Sequence, residues 1–257
     1  MFVSMDPITK ASSVDPQEIE KFNRLAETWW DASGPMWPLH TLNNLRSSYI
    51  VQQLVDHFNA SADSSQPLSG LRILDIGCGG GLLAEAMALQ GASVHGVDIS
   101  DRNIAVASLH AQSMKNPPRY EHTTAEALLE REDSFDVVLN MEVVEHVADL
   151  PSFMQTCCGL VEPGGLQVVS TINRNPVSWF SAIIGAEYIL QWLPKGTHQY
   201  KRLVKPRELE KLLESDSFKM LATTGVFVNP LSRKMSLSRS RTIGYMVVAE
   251  NNRTSGR

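Results

Sequence analysis

A run of glycines between two acids is the first sign of chemistry in this chain. Leu71 to Gly81 reads Leu-Arg-Ile-Leu-Asp-Ile-Gly-Cys-Gly-Gly-Gly. The apolar part predicts a buried parallel strand, and the glycines predict a turn at which another group approaches the backbone closely. A predicted helix begins at Leu82, so we expect free backbone N–H groups and the helix dipole to face a ligand at the carboxyl end of the strand.

The second acid lies at the end of the next predicted strand, Ser93 to Asp98. A carboxylate about twenty residues after such a turn is placed to accept hydrogen bonds from the two hydroxyls of a ribose. The glycines alone would be compatible with a simple tight turn. Together with the strand, the helix and Asp98, they predict a nucleoside site.

The spacing of the glycines indicates which nucleoside cofactor binds. A dinucleotide fingerprint requires its third glycine where Leu82 stands. Asp75-x-Gly77-x-Gly79-x-Gly81 is instead the spacing of S-adenosylmethionine (SAM) methyltransferases. Asp75 lies inside the strand, where a carboxylate disfavours a pyrophosphate and suits the cationic methionine end of SAM. The alternative role for Asp75 is to cap the turn.

A second group of acidic and imidazole side chains follows the predicted strand from Phe135 to Asn140. If a helix begins there, Glu142, Glu145 and His146 lie on one face of it, beside the cofactor pocket. Three such side chains could hold a metal ion. His146 could instead act as a general base, or the trio could form an ion-paired helix start.

Strands and helices alternate along most of the chain, which predicts an α/β fold. We expect a Rossmann-like, doubly wound and mostly parallel sheet with an antiparallel edge strand. The remaining predicted strands are Tyr120 to Thr123, Leu166 to Ile172, Met220 to Val228 and Thr242 to Ala249. The remaining predicted helices are Arg102 to Met114, Ala125 to Arg131, Leu150 to Leu160 and Lys205 to Ser215.

The N-terminal part differs from this pattern and predicts a helical cap. Residues 1–14 are polar and are expected to be a disordered tail. Residues 15–60 form the cap, with helices from Asp15 to Trp30 and from Leu42 to Phe58, separated by breaks at Gly34-Pro35 and Trp37-Pro38. Residues 61–250 form the main domain, and 251–257 a second tail.

Composition excludes several classes of function. The net charge is −5 and the pI is about 5.8, so a basic footprint for nucleic acid is absent. Asn116-Pro117-Pro118 resembles a motif of amino-methylating nucleic-acid enzymes, but it precedes the wrong strand and predicts a turn. Three cysteines form neither a disulfide framework nor a zinc motif, which fits a reducing compartment.

Several longer segments resemble the ubiquinone-biosynthesis O-methyltransferases, from about Asp15 to Ala249. The glycine motif is common to all such methyltransferases. The more specific segments are Trp29-Trp30-Asp31, Pro38-Leu39-His40, Asn44-Leu45-Arg46, Met141 to Val147, Gly185 to Leu190 and Pro194-Lys195-Gly196-Thr197-His198. The resemblance implies SAM-dependent methylation of a ring hydroxyl on polyprenyl catechols, hydroxyphenols and demethylubiquinol.

The same resemblance implies roles for individual residues. Cofactor contacts carry over onto Arg46, Gly77, Asp98 and Met141. The first would hold the methionine carboxylate as a planar cation, and the last would offer a soft apolar edge to the adenine. Eukaryotic members of the family imply Mg²⁺ on Glu142, Glu145 and His146, although Mg²⁺ prefers oxygen ligands.

Residues 173–198 are predicted to be a helical insert. Its apolar residues spread around most of a helix, which is typical of a buried substrate lid or of a segment at a membrane surface. Trp179, Tyr188 and Trp192 suit an interface, and Lys195, His198, Lys201 and Arg202 would meet anionic head groups. We therefore hypothesise peripheral contact with an anionic membrane.

Localisation and partners follow from these features. No transit peptide is visible, which favours a bacterial cytoplasmic protein peripheral to the inner membrane; a processed protein on the matrix side of the mitochondrial inner membrane would look the same. Other ubiquinone-biosynthesis enzymes are implied partners. Three alternative functions stay open: a nicotinamide oxidoreductase, a C-methyltransferase of quinone synthesis, and a catalytically silent SAM-binding protein.

Overall fold

The fold is a single twisted sheet with helices on both faces, seen in a computed structural model. It describes residues 28–34, 36–61, 64–179, 200–229, 232 and 234–254. The predicted tail at residues 1–14, most of the predicted helix from Asp15 to Trp30 and the centre of the predicted insert lie outside these ranges. Within them, no helix is both long enough and apolar enough to cross a bilayer.

Eight strands form the sheet in the described part of the chain. The parallel half consists of β1 (Arg72–Ile76), β2 (Ser93–Asp98), β3 (Arg119–His122), β4 (Phe135–Met141) and β5 (Val161–Ile172). The antiparallel edge consists of β6 (Phe218–Val228), β7 (Met235–Ser238) and β8 (Gly244–Asn251). The predicted fold class is therefore confirmed.

The order of the strands locates the ligand crevice. The sheet runs β3-β2-β1-β4-β5-β8-β6-β7. From β1 the chain moves outward to β2 and β3 and then returns to the other side of β1 to form β4. Ligands bind at such a switch point, beyond the carboxyl ends of the strands. Ile76 is paired with Asn140 there, so Gly77 and Met141 both lie at the opening.

Helices cover the two faces of the sheet with apolar side chains. On one face lie α1 (Trp37–Phe58) and α2 (Leu82–Leu89), through residues such as Ile50, Leu54, Leu83 and Met87. α3 (Asp101–Ala111) contacts β2 and β3. On the other face lie α4 (Ala125–Glu130), α5 (Leu150–Gly159) and α6 (Pro206–Ser215), through Leu128, Phe153, Met154, Leu209 and Leu213.

Two predicted breaks are wrong, each for a local reason. Trp37-Pro38 was expected to interrupt the chain, but α1 begins there, because proline is accepted in the first turn, where no N–H acceptor is needed. The helix predicted to end at Leu160 and the strand predicted to begin at Leu166 left a break between them. β5 already begins at Val161 and includes Pro163-Gly164-Gly165, where its pairing with β4 shifts register.

The edge of the sheet also differs from the prediction. The two predicted terminal strands are present and pair antiparallel, with β8 between β5 and β6. The sequence did not predict β7, a four-residue strand paired with the end of β6. Of the predicted insert at 173–198, only its first seven residues are described; a single helical turn, Pro176–Ser178, begins it.

Candidate active site

The glycine turn after β1 is held by its own hydrogen bonds. The backbone N–H groups of Gly77 and Cys78 donate to the carbonyl of Val97, at 2.8 and 3.0 Å. The N–H of Gly79 donates to Oδ2 of Asp98, at 2.9 Å. The φ angles of Gly77 and Gly79, +68° and +54°, favour glycine, and a Cβ there would overlap Val143 or Trp29. These three N–H groups are therefore not free for a ligand, because they fasten the turn to β2.

Asp75 occupies the end of β1 and is almost completely buried. One side of its carboxyl group accepts the N–H of Ala84 in the first turn of α2. Its Oδ2 atom has no hydrogen-bond partner among the described residues. Burial is the main cause that raises the pKa of Asp75 to about 7; Arg46 opposes the shift, and the charge of Asp98 contributes to it. A cationic ligand group could satisfy the unpartnered oxygen.

Arg46 provides a buried positive charge opposite these acids. It lies on α1, and its Nε donates to Oδ1 of Asn43 at 3.2 Å. The Asn43 amide in turn donates to the carbonyl of Leu82, the first residue of α2. Burial lowers the pKa of Arg46, whereas the nearby charges of Glu142 and Asp75 oppose that change. The predicted cation is thus held beside the strand ends.

Asp98 ends β2 and has three donors from the protein. Oδ2 accepts the N–H of Gly79, and Oδ1 accepts the N–H of Ser100 at 2.8 Å and the Asn103 amide at 3.2 Å. Burial raises the pKa of Asp98, and these hydrogen bonds oppose the shift. The carboxylate is therefore held rigidly at the mouth of the switch point, as its predicted role with a ribose requires.

Two tryptophans from the segment before α1 cover the glycine turn. A Cβ added at Gly79 or Gly80 would overlap the side chain of Trp29. Trp30 donates its Nε1 to the carbonyl of Gly80 at 2.9 Å, and its ring stacks on His110 with centroids 3.3 Å apart. His110 pairs with Glu85 of α2. The predicted cap therefore reaches the cofactor motif through its double tryptophan.

The segment after β4 is a turn and not a helix. Met141 ends the strand and is buried. Glu142 follows with a φ of +60°, and residues 144–146 form a turn. The premise that Glu142, Glu145 and His146 share a helix face is wrong, because the backbone reverses at Glu142. Within the described ranges, no three His, Cys, Asp or Glu side chains are arranged to hold a metal ion.

Two members of the trio nevertheless lie close together as a carboxyl pair. Glu142 accepts a hydrogen bond from the Ser170 hydroxyl, and Glu145 accepts one from Thr171 at 2.8 Å. Burial and the charge of Glu142 raise the pKa of Glu145 well above its usual range. His146 is half-buried in the same turn. The site thus holds two neighbouring carboxyl groups, of which Glu145 resists ionisation, and an imidazole at the end of β4.

Comparison with known proteins adds the family. Residues 44–223 match a family described as "Methyltransferase domain". The ubiquinone biosynthesis O-methyltransferase of Sinorhizobium fredii is 49% identical over 94% of this chain and 98% of its own length. The protein of the same name from Brucella anthropi is 50% identical over the same shares. The chain belongs to the ubiquinone biosynthesis O-methyltransferase family. This member is a SAM-dependent methyltransferase.

Solved structures show the same fold at lower identity. Magnesium protoporphyrin IX methyltransferase from Synechocystis PCC 6803, solved with bound SAM, is 18% identical, with a TM-score of 0.63 over 98% of this chain and 100% of its own. The plantazolicin methyltransferase BpumL is 16% identical, with a TM-score of 0.61 over 92% of this chain and 97% of its own. At these identities the likeness establishes the class I methyltransferase fold of this family member.

The residues of this methyltransferase fit SAM as a ligand. Its methionine end carries an ammonium and a carboxylate, and the crevice offers the unpartnered Asp75 oxygen and the Arg46 cation. Its ribose requires an acceptor, and Asp98 is a buried acceptor at the same edge of the sheet. The sequence motif identified these acids. It did not identify Asn43, Asn103 or the contacts of Trp29, since amides far apart in sequence carry no spacing signal.

Proposed function

We propose that this methyltransferase acts in ubiquinone synthesis on a ring hydroxyl of polyprenyl catechol, hydroxyphenol and demethylubiquinol intermediates. The observation that carries the proposal is the name shared by relatives 49% and 50% identical over 94% of the chain. The crevice supports it, because it combines the charges needed for SAM with acid–base groups at the end of β4.

Each cofactor residue has a proposed task. Arg46 binds the methionine carboxylate, and Asp98 accepts hydrogen bonds from the ribose. Gly77 permits close approach of the backbone, and Met141 lies against the adenine. SAM supplies a methyl group that its sulfonium already activates. The protein therefore has to align the acceptor oxygen and to remove its proton.

His146 is the proposed base for that proton. A free phenol has a pKa near ~10, so ionising it at neutral pH costs roughly 4 kcal/mol. An imidazole is suited to accept a proton in this range. Glu145 is less suited to bind Mg²⁺ because burial and the charge of Glu142 raise its pKa and so disfavour its ionised form, whereas metal ligands bind deprotonated.

We also propose that the protein docks on membranes near the predicted insert. The polyprenyl substrate partitions into the bilayer. Val177 and Trp179, at the start of the insert, and Tyr200, just after its end, are exposed apolar side chains. Lys201 follows Tyr200 and is exposed too. Exposed aromatic and cationic residues together favour an anionic interface. Binding of other ubiquinone-biosynthesis enzymes and a bacterial cytoplasmic location belong to the same proposal.

Product identification tests the proposed reaction. The protein is incubated with SAM and a short-chain demethylubiquinol, and the product is analysed by mass spectrometry and NMR. A methoxy group on the ring supports the proposal. Methylation at carbon would indicate the C-methyltransferase alternative, and absence of product with SAM bound would indicate a silent binding protein.

Liposome co-sedimentation tests the membrane proposal separately. Binding should require anionic lipid and should fall for Trp179→Ser and for Lys201→Glu. Leu109→Ser is the matched control, because Leu109 is an exposed apolar residue on α3. Equal binding by Trp179→Ser and Leu109→Ser would refute docking at the insert.

A further inference from the structure

A chain of hydrogen bonds joins the N-terminal segment to the acid at the end of β2. Trp29 donates its indole Nε1 to Oδ1 of Asn103 at 2.8 Å. The amide of Asn103 then donates from Nδ2 to Oδ1 of Asp98 at 3.2 Å. Both Trp29 and Asn103 are buried. Trp29 and Asn103, which are far apart in sequence, are therefore joined by hydrogen bonds to the carboxylate of Asp98.

The chemistry of the donors fixes the direction of this chain. An indole N–H can only donate, so it must face the amide oxygen of Asn103. The amide nitrogen must then face Asp98. Without the indole N–H, the side-chain amide of Asn103 could rotate by about 180° and direct its oxygen toward the Asp98 carboxylate. Two acceptors would then face and repel each other. Trp29 thus determines whether Asp98 receives a donor from Asn103.

The hydrogen bonds of Asp98 show what this orientation achieves. A carboxylate has about four acceptor positions, two on each oxygen. Oδ1 uses both, for the N–H of Ser100 and the amide of Asn103, and Oδ2 uses one, for the N–H of Gly79. Among the described residues, no donor occupies the second position on Oδ2, which lies on the side of the glycine turn. A ribose hydroxyl would donate there.

We infer that Trp29 and Asn103 are positioning residues for the cofactor: Trp29 fixes the amide of Asn103, and the amide holds the Asp98 carboxylate with Oδ2 ready for a ribose hydroxyl. This inference rests on the proposed contact between Asp98 and the ribose. It makes the segment before α1 part of the cofactor site. Removing the indole N–H should therefore weaken recognition of the ribose in particular.

The test compares two ligands by calorimetry: S-adenosylhomocysteine and its 2′,3′-dideoxyribose analogue. The native protein should bind the analogue at least tenfold more weakly, because a hydroxyl donating to a carboxylate is a strong hydrogen bond. Trp29→Phe keeps a ring over the glycine turn but loses the donor. It should bind S-adenosylhomocysteine about two- to tenfold more weakly and the analogue almost as well as the native protein does. Asn103→Ala should behave in the same way.

Trp30→Phe is the matched control. It also removes one indole donor from the same segment, but that donor binds the carbonyl of Gly80 and has no link to Asp98. It should weaken both ligands equally and leave the preference for the hydroxyls unchanged. Circular dichroism and thermal unfolding check that each variant is folded.

Two outcomes would overturn the inference, and they are distinguishable. If Trp29→Phe and Asn103→Ala prefer the hydroxyls as strongly as the native protein does, these residues do not position Asp98. If the native protein itself binds both ligands equally, Asp98 does not hold the ribose. The proposed contact between Asp98 and the ribose is then refuted, whatever the variants show. A combined Trp29→Phe/Asn103→Ala variant should lose no more preference than either single variant, since both act through one carboxylate.

Discussion

Asp75 should make both folding and cofactor binding depend on pH. Its pKa is raised to about 7 in the folded protein by burial, against about 3.9 in an unfolded chain. Below pH 4 the carboxyl is protonated in both states. Between pH 4 and pH 7 the unfolded chain ionises first, so the stability that neutral Asp75 provides is lost as pH rises. The total is at most about 4 kcal/mol, from three units at 1.36 kcal/mol each.

Cofactor binding should offset part of this loss of folding stability at higher pH. An ammonium group beside the unpartnered Oδ2 of Asp75 favours the ionised carboxylate. Binding below pH 7 then releases about one proton, and the affinity for S-adenosylhomocysteine should rise by up to tenfold for each pH unit between 5.5 and 7. Above pH 7 the affinity should level off. Calorimetry in two buffers with different ionisation enthalpies measures the number of protons released.

Asp75→Asn separates this effect from the titration of histidines. The asparagine side chain is neutral at every pH. The variant should therefore release no proton on binding S-adenosylhomocysteine, and its affinity for that ligand at pH 8 should be at least tenfold lower than that of the native protein. Its free energy of unfolding, relative to the native protein, should increase as pH rises from 4 to 7. If Asp75→Asn releases as many protons as the native protein does, the ammonium does not bind at Asp75 and the reasoning fails.

Three further predictions concern single residues. Asp98→Ala should weaken SAM binding more than tenfold without unfolding the protein, and unchanged affinity in calorimetry would contradict the ribose contact. Turnover should survive EDTA and be lost in His146→Ala if the imidazole is the base; loss of turnover in EDTA with unchanged SAM affinity would favour Mg²⁺ instead. Gly81→Ala should destabilise the fold by ~2 kcal/mol or more, because φ is +89° and a Cβ would overlap Tyr120. Gly164→Ala, with φ +77° and open space around it, should cost less in the same thermal unfolding assay.

The sequence was sufficient for the parallel half of the fold, for a physical reason. Strands buried on both faces are mostly apolar without alternation, and β1 and β4 both show this pattern. The edge of the sheet carries no such signal. β7 has four residues, none of them buried, so neither length nor alternation marks it as a strand. Its pairing with β6 depends on a tertiary contact.

Local backbone geometry was the harder part of the site to predict. The spacing of Glu142, Glu145 and His146 suits a helix, yet Glu142 adopts a φ of +60° and the chain turns. A glutamate uncommonly adopts the left-handed region, so a glutamate at position 142 did not indicate that the backbone would turn there. Arg46 was carried over from the family resemblance, and the structure adds the amide of Asn43 that fixes it.

The glycine turn also explains why the site suits SAM and not a dinucleotide. In a phosphate-binding turn, the backbone N–H groups must stay free to meet the anion. Here those of Gly77 and Cys78 donate to Val97, and that of Gly79 donates to Asp98. A further N–H, at the start of α2, donates to Asp75. Of these four donors, two are taken by the carbonyl of Val97 and two by the carboxyl groups of Asp98 and Asp75. A crevice that presents buried carboxylates to its ligand repels a pyrophosphate and attracts a cation, which is the charge that SAM brings.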